Sequence, residues 1–432
     1  MKKVLLASAA LLALGTVAQA AEPVKLSIGG YAQEWAGVAT NQNDAVFSST
    51  VGPNGAYGST TSGSAANKRA SFDVQDDVNI NFVGSTKLDN GITIGVEVDT
   101  FGSQRQDSRT NPDGNTDVKR SFVTVGTVAG TAIIGEREDA LYIVHNSAPD
   151  VGIGLQDGAW YQWVANPSHH KLYTATNTSR YDDRTNKLSY VSPSYYGFAA
   201  AASYVPDISR TNGAGTTSMP SSSDVNGALN GSAYTACGGS TNSCGLASGA
   251  GSVNGADFGT GDLYGAGLAY ANTIGGVSIK ADAGVGQANI ANLRVYQGGL
   301  QISYAGFTLG GSILNRNVSS SATLGGADQG AETQALAYAG QSFDVGLSYT
   351  TGPYAVSLGT FHDTTKKWDT TDGYAADSTN VYMLSGKYIL GPGVALQASI
   401  GDVKYYASSK LAADSSQENN GWLGLTGIRV DF

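Results

Sequence analysis

The sequence predicts an all-β fold, namely a closed transmembrane antiparallel β-barrel of about 16 strands. Three observations support this prediction. Apolar and polar residues alternate with a period of two in many short segments. Short turns alternate with long polar segments along the chain. After residue 20, no apolar run approaches the roughly 20 residues of a membrane-spanning helix.

The N-terminus has the pattern of an export signal. A short basic head, Met1 to Lys3, precedes an apolar run from Val4 to Val17, and small residues follow at Ala18 and Ala20. This pattern predicts a signal peptide over residues 1–20 that is cleaved after Ala20. Residues 21–432 are then expected to form a single barrel domain.

The composition fits a β-barrel better than a secreted enzyme. Glycine accounts for 58 of 432 residues and charged residues for only 14%, against about 7% and about 25% in average proteins. The mean hydropathy of −0.14 resembles that of a soluble protein, but a barrel exposes only every second strand residue to lipid. The net charge of −10 argues against nucleic acid as a partner.

One hairpin shows the alternation clearly. The turn signal Asp89-Asn90-Gly91 separates two alternating runs. The apolar residues Ile80, Phe82, Ile94 and Val96 are predicted to face lipid, and the polar residues Asp77, Asn79, Asn81, Glu97 and Asp99 are predicted to face the interior.

The strand count follows from the breaks between alternating runs. Predicted strands begin near residues 24, 76, 91, 118, 131, 185, 197, 263, 276, 294, 306, 334, 343, 354, 380, 394 and 421. This is one strand more than an even barrel of about 16 allows, so region 334–349 holds either one long strand or two. The first and last strands are expected to pair, because lipid offers no partner to a sheet edge.

Two cysteines, Cys237 and Cys244, lie in one polar loop. Their spacing fits no zinc motif, and an oxidising compartment favours a small disulfide, with two free thiols as the alternative. Asp113, Asn115 and Asp117 resemble the start of a calcium loop, but no glutamate closes it at the right spacing. A plain outer loop is therefore the preferred interpretation, and Ca²⁺ at the outer loops is the alternative.

The sequence offers no catalytic constellation. Its four histidines, His145, His169, His170 and His362, lie in predicted loops without metal-spaced partners. No nucleophile elbow, phosphate loop or dinucleotide fingerprint occurs in a fitting context. We therefore expect neither enzymatic activity nor a cofactor or metal centre.

Four passages resemble the trimeric Gram-negative porins, nearest to their alphaproteobacterial branch. They are Val118 to Arg137 (VKRSFVTVGTVAGTAIIGER), Asn186 to Val205 (NKLSYVSPSYYGFAAAASYV), Tyr388 to Ala407 (YILGPGVALQASIGDVKYYA) and the terminal strand Gly427 to Phe432. The resemblance implies a water-filled outer-membrane channel for passive diffusion of small hydrophilic solutes and ions. It also implies a homotrimer in outer-membrane lipid, and a C-terminal Phe432 that the barrel-assembly machinery recognises.

The resemblance further implies an inward-folded constriction loop at about residues 138–179. We expect Asp139, Asp150 and Asp157 to line the narrow point, with an aromatic cluster pinning the loop to the wall. This cluster comprises Trp160, Tyr161 and Trp163. The alternative is a solvated surface loop with incidental charges.

Basic wall residues oppose the acidic loop in the family, and this chain matches that pattern only in part. Lys119 and Lys187 occupy such positions, whereas Asn79 and Tyr31 replace basic residues. Glu97 and Asp99 are also assigned to the constriction. Arg120 and Arg137 are placed near it too, although alternation does not fix which way they face. The expected result is modest cation selectivity.

Three alternative functions remain open at this stage. One is a substrate-specific channel, for example for sugars, that uses the aromatic cluster as a track. Another is a surface barrel with an adhesive or structural role, in which the long loop at about 207–261 forms the binding face. The third is a soluble all-β secreted domain, which the aromatic strand terminus at Phe432 disfavours.

Overall fold

A computed structural model describes residues 23–40, 43–44, 67–68, 70–103, 118–155, 160–164, 173–178, 185–206, 262–288, 293–317, 339–369, 373–407 and 419–432. The strands are β1 Lys25–Ala39, β2 Asn43–Asp44, β3 Asn67–Lys68, β4 Phe72–Lys87, β5 Thr93–Ser103, β6 Val118–Thr127, β7 Gly130–Glu136, β8 Asn186–Val191, β9 Phe198–Val205, β10 Leu263–Ile274, β11 Val277–Ala288, β12 Leu293–Tyr304, β13 Phe307–Asn317, β14 Gly340–Thr351, β15 Tyr354–Asp369, β16 Gly373–Gly391, β17 Val394–Ala407 and β18 Asn419–Asp431. The helices are α1 Ala140–Val144 and α2 Trp160–Trp163.

Sixteen of these strands close into one antiparallel barrel, and the short strands β2 and β3 form a separate pair. Closure joins β1 to both β4 and β18, with Tyr31 opposite Asp431 and Ala39 opposite Leu423. Phe432 and Gly30 exchange two backbone hydrogen bonds of 3.0 Å. The predicted fold class is confirmed, and the described part of the ambiguous region, residues 339–349, contributes to one barrel strand, β14.

The two faces of the wall differ as period-two alternation requires. Along β13, Phe307, Leu309 and Ile313 are exposed, whereas Ser312 and Arg316 on the alternate face are buried. Aromatic pairs lie beside the short turns on the exposed face: Tyr354 stacks on Tyr388 at 5.0 Å and Phe307 contacts Tyr349 at 4.4 Å. Such outward aromatic bands are typical of membrane barrels.

The predicted hairpin between β4 and β5 is confirmed. Leu88 and Ile92 close the turn through a backbone hydrogen bond of 2.8 Å. Asn90 accepts a hydrogen bond from the Ile92 N–H at 3.1 Å. Gly91 has a φ of +83°, a backbone conformation that residues with a side chain adopt at a cost. The turn therefore needs glycine at this position.

Two strand boundaries were predicted wrongly. Strand β4 begins at Phe72 rather than near residue 76, and β16 begins at Gly373 rather than near residue 380. The hairpin of β15 and β16 stays paired as far as Asp369 opposite Gly373. Backbone pairing therefore continues beyond the part of the strand in which apolar residues alternate.

Some predictions concern residues outside the described ranges. They are the signal peptide over 1–20, the calcium-like segment Asp113 to Asp117, the acid Asp157, the loop at 207–261 and the cysteines Cys237 and Cys244. Among the residues that the structure does describe, no helix is long and apolar enough to cross a membrane.

Candidate functional site

The segment that follows β7 runs along the inside of the barrel. We call its described parts, residues 138–155, 160–164 and 173–178, the inner segment. It is anchored by side chains that come from strands β9 to β17. These are Ser203, Asp282, Gln297, Gln301, Asp344, Ser357, Asp363, Gln397 and Tyr405. Because these side chains meet a segment enclosed by the wall, they define the inner face of each strand.

Asp139 begins α1 as a capping residue. Its carboxylate accepts hydrogen bonds from the Tyr142 N–H at 2.8 Å and the Thr178 hydroxyl at 2.6 Å. The next residue, Ala140, donates its N–H to Ser203 on β9 at 3.1 Å. Burial raises the pKa of Asp139, although both hydrogen bonds act against that rise. The carboxylate therefore ties the two ends of the inner segment together.

After α1, two wall acids hold the inner segment. Asp282 on β11 contacts the His145 ring at 3.2 Å and accepts a hydrogen bond from the Asn146 N–H at 2.7 Å. Asp344 on β14 accepts hydrogen bonds from the Ala148 N–H at 2.8 Å and the Thr176 hydroxyl at 2.7 Å. Both carboxylates are buried. They serve as hydrogen-bond acceptors for a chain segment that would otherwise leave N–H groups unpaired inside the barrel.

Asp150 also forms hydrogen bonds within the inner segment and to the barrel wall. It accepts hydrogen bonds from the Gly152 N–H at 3.0 Å, the Leu155 N–H at 2.6 Å and the Ser357 hydroxyl at 3.0 Å. The residue is half-buried. Its carboxylate therefore organises a turn of the inner segment and links that turn to β15.

The predicted aromatic anchor is present in the middle part of the inner segment. Trp160 is fully buried and packs against Phe361 on β15 and Tyr405 on β17, with ring centroids 5.9 and 6.3 Å away. Trp163 is buried in the same cluster as Trp35 of β1. These indole rings therefore fix the segment to the wall, as the sequence predicted.

A buried ion pair holds the last part of the inner segment. Arg316 on β13 pairs with Asp363 on β15 at 2.8 Å, and its guanidinium lies 3.9 Å from the centroid of the Tyr173 ring. Asp363 also accepts a hydrogen bond from the Tyr173 N–H at 3.0 Å. Neither strand residue was singled out from the sequence, because only the fold brings them to residue 173.

Wall glycines make room for the inner segment, and we call this row the glycine trench. A Cβ added at Gly299 would lie 1.9 Å from the carbonyl oxygen of Asn146. Added Cβ atoms elsewhere in the trench would also meet the segment, at 3.0 Å or less from Leu141, Val144, Pro149 or Leu155. The positions concerned are Gly265, Gly267, Gly284, Gly346 and Gly359. Part of the high glycine content thus has a steric purpose.

Opposite the trench, Arg120 on β6 links the wall to the start of the inner segment. It forms a salt bridge of 3.0 Å with Asp99 on β5 and a second one with Glu138. Burial acts to raise the pKa of Glu138, but the charge and hydrogen bonds of Arg120 outweigh it and hold that pKa below its ordinary value. One guanidinium therefore serves two carboxylates.

The other predicted basic residues lie on the same side of the barrel. The Lys119 ammonium lies 5.3 Å from the centroid of the Phe101 ring, and Arg137 lies 4.8 Å from that of Phe122. Lys187 on β8 is buried and donates a hydrogen bond to the carbonyl oxygen of Arg137. The structure thus brings these bases together, while their role in selecting ions stays a prediction.

Tyr31 and Asn79, which replace basic residues of the family pattern, lie opposite each other on β1 and β4. The Tyr31 hydroxyl donates to Asp77 at 3.2 Å, and the guanidinium of Arg429 lies 4.1 Å from the Tyr31 ring centroid. The sequence did not point to Arg429. Glu97, two residues before Asp99 on β5, is half-buried on the same inner face.

In the described part of the chain, no group of three or more His, Cys, Asp or Glu side chains could hold a metal ion. What the geometry defines is a closed barrel with a segment of its own chain bonded to its inner face, and with acids and bases grouped where that segment begins. A family model of the Gram-negative porins matches residues 7–408. The chain belongs to the Gram-negative porins, and it is an outer-membrane channel for passive diffusion.

Solved structures show the same fold. An anion-selective porin from Comamonas acidovorans matches with a TM-score of 0.53 at 14% identity, covering 95% of this chain and 100% of that one. The trimer form of the outer membrane protein OmpT of Vibrio cholerae matches with a TM-score of 0.51 at 10% identity, covering 95% and 100%. Among curated proteins, none matches the sequence.

Proposed function

We propose that the chain is a general diffusion channel that admits small hydrophilic solutes and ions by size and charge, without catalysing a reaction. The observation that supports this proposal most is the seating of the inner segment against β9 to β17. Solutes would pass between this segment and the inner face of β4, β5 and the Tyr31 part of β1, where Tyr31, Asp77 and Glu97 lie. Polar, half-buried walls suit hydrated solutes.

Liposome swelling with neutral sugars of increasing size tests this proposal. Uptake should fall smoothly with solute size and should not saturate with concentration. Saturable uptake of one sugar would instead favour a substrate-specific channel. The buried state of Trp160 and Trp163 argues against that alternative, since rings packed against the wall present little surface to a sugar.

We further propose modest cation selectivity, and the pairing of the charges supports this proposal. Arg120 is shared by Asp99 and Glu138, while Lys187 is bonded to a backbone carbonyl. Glu97 and Asp77 add negative charge on the same side, and a fixed charge acts over about 8–10 Å near physiological salt. The pore should therefore concentrate cations slightly.

The zero-current potential across a salt gradient measures this selectivity. Glu97→Gln should reduce the preference for cations. Asp150→Asn should mainly disturb the turn that Asp150 organises, so it serves as the comparison. Anion preference in the unmodified channel would contradict the proposal, as would unchanged selectivity in Glu97→Gln.

We also propose that three copies of the chain assemble through the outer face of β1, β4 and β18. On this face Glu34 lies directly opposite Asp76, and both point away from the interior because Gln33 and Asp77 point inward. Carboxylates facing hydrocarbon are costly. A second copy that covers this face would remove them from lipid.

Ile428 lies directly opposite Glu34, but several other residues of this face are small, as close packing between copies requires. They are Ala32, Ala36, Gly424 and Thr426. Gly424→Trp should shift unheated protein on a detergent gel from trimer to monomer, whereas Leu309→Trp on the lipid-exposed face of β13 should not. A trimer that tolerates Gly424→Trp would place the interface elsewhere.

A further inference from the structure

The inner face of the barrel carries a cluster of basic residues at the end where the short turns lie. We call this cluster the basic mouth. Its members are Lys25, Lys87, Lys280, Lys387 and Arg429. Short turns mark the periplasmic end of a bacterial barrel. The basic mouth therefore lies on the periplasmic side, whereas Arg120 and its partners lie where the inner segment begins.

Strand register shows that two of these lysines face the interior. Lys280 lies opposite Gln301, which donates a hydrogen bond to the carbonyl oxygen of Ser147 in the inner segment. Lys387 lies opposite Gln397, which donates to the carbonyl oxygen of Val151. Directly opposed residues in an antiparallel pair point to the same face. Both ammonium groups therefore project into the water-filled lumen.

The other three members, on β1, β4 and β18, also face the interior. Lys87 shares the inner face of β4 with Asn81, which pairs with Asp99. Lys25 lies opposite Ser85 on that face. Arg429 points inward because it donates to the Gln33 side chain at 3.3 Å. Five bases thus lie on the inner face of the wall at one end of the lumen, four of them on β1, β4, β16 and β18 and Lys280 across the barrel on β11.

Acids are sparse at this end among the described residues. Asp89 lies in the turn after β4, and Asp431 forms a salt bridge of 2.8 Å with Arg429. Of the inner-wall acids, Asp282 lies two residues beyond Lys280 on β11, and Asp77 shares Gln33 with Arg429, whereas Asp344 and Asp363 lie farther from the short turns. The chain as a whole carries −10. Charge is therefore distributed unevenly along the axis of the pore.

We propose that the basic mouth is a cationic vestibule that concentrates small anions at the periplasmic end and makes ionic conduction asymmetric. Like-signed charges in a cleft with low-dielectric walls raise the local concentration of counter-ions. Their field extends about 10 Å at 0.1 M salt and about 3 Å at 1 M. Anions therefore accumulate at one mouth at low salt, and equal voltages of opposite sign drive unequal currents.

The test is the current–voltage relation of channels inserted in one orientation into a neutral planar bilayer. In about 0.1 M KCl the currents at equal and opposite voltages should differ by about 1.3-fold or more, and this asymmetry should vanish in about 1 M KCl. Inorganic phosphate should reduce the current at low salt more strongly from the periplasmic side than from the other side.

A triple variant, Lys87→Gln, Lys280→Gln and Lys387→Gln, should conduct symmetrically at low salt. Lys404→Gln is the matched control, because Lys404 lies on the outer face of β17, at the end of this strand away from the short turn. It should keep the asymmetry. Heat-dependent gel mobility checks that each variant is folded. The comparison of low and high salt uses the unmodified channel, so it does not depend on the folding of a variant.

Symmetric currents at low salt in the unmodified channel would overturn this inference while leaving the channel function intact. Asymmetry that persists in the folded triple variant, or in about 1 M KCl, would overturn it as well. Absence of any conductance would instead contradict the proposed channel function, and with it the inference about the basic mouth, which rests on that function.

Discussion

Replacement of Gly299 by alanine should unseat part of the inner segment without disturbing the barrel. The new methyl group would lie 1.9 Å from the carbonyl oxygen of Asn146, and that separation has to lengthen to more than 3.0 Å. The shift would strain the bonds that His145 and Asn146 make to Asp282, which measure 3.2 and 2.7 Å. Both are contacts to a carboxylate that holds the segment.

The magnitude can be bounded from these contacts. Overpacking typically costs about 1–3 kcal/mol, and a hydrogen bond to a charged group contributes about 1.5–3 kcal/mol. Together they predict a loss of about 2.5–6 kcal/mol in the free energy that holds the segment against the wall. The other anchors at Asp344, Ser357 and Trp160 remain. We therefore expect local loosening of the segment between residues 145 and 148 rather than complete release.

Single-channel recording is the assay, with Gly298→Ala as the matched control. An added Cβ at Gly298 would meet only the Asp282 carbonyl oxygen, at an ordinary 3.5 Å. Gly299→Ala should change the conductance and increase the open-channel noise, while Gly298→Ala should leave both unchanged. Heat-dependent gel mobility should be the same for both variants. Unaltered conductance and noise in Gly299→Ala would refute the steric reasoning.

Four further predictions concern other parts of the molecule. Trp160→Ala should cost about 3–5 kcal/mol of inner-segment seating and expose the segment to protease, whereas Trp422→Ala, on the outer face, should not. Leu358→Arg, at an exposed position on β15, should cost about 2–4 kcal/mol in urea unfolding from vesicles, while Asn81→Arg in the lumen should alter conductance only. The pKa of Glu138 lies below its ordinary 4.5. Its ion pair with Arg120 therefore stabilises the segment above pH 4.5, and this stabilisation is lost as the pH falls through the lowered pKa. Conductance should change on acidification through this range, and Glu138→Gln should abolish the change. Cys237 and Cys244 should be joined by a disulfide, which mass spectrometry of unreduced peptides would disprove by finding two free thiols.

Period-two alternation made most of the barrel predictable from the sequence. The strand beginning at Tyr354 and the one at Val394 were placed correctly, because apolar residues face lipid on alternate positions there. Pairing beyond the apolar zone has no such signal, so the start of β16 at Gly373 was missed.

The facing of the charged residues was harder to predict. A register shift between Asp99 and Thr100, where β5 pairs with β6, breaks the alternation beside Lys119 and Arg120. Counting by twos across a bulge gives the wrong face. This explains why the orientation of Arg120 could not be fixed from the sequence.

The acids of the inner segment were placed in the right segment, but their contacts were not foreseen. The partners of Asp139 and Asp150 are N–H groups and hydroxyls that come together only when the segment has folded. The glycine trench could not be predicted from the sequence either, because its glycines differ from other strand glycines only in their contact with the inner segment.

The glycine trench has a consequence for the order in which the protein is assembled. It lies on β10 to β15, which follow the inner segment in the chain, and one anchor joins Val151 to Gln397 across 246 residues. Contacts between such distant residues form late, because a long loop has to close first. The seat does not exist until the later strands have joined the sheet. In a partly assembled barrel the inner segment should thus lack its binding surface, so the strands that are added later also fix the position of this segment.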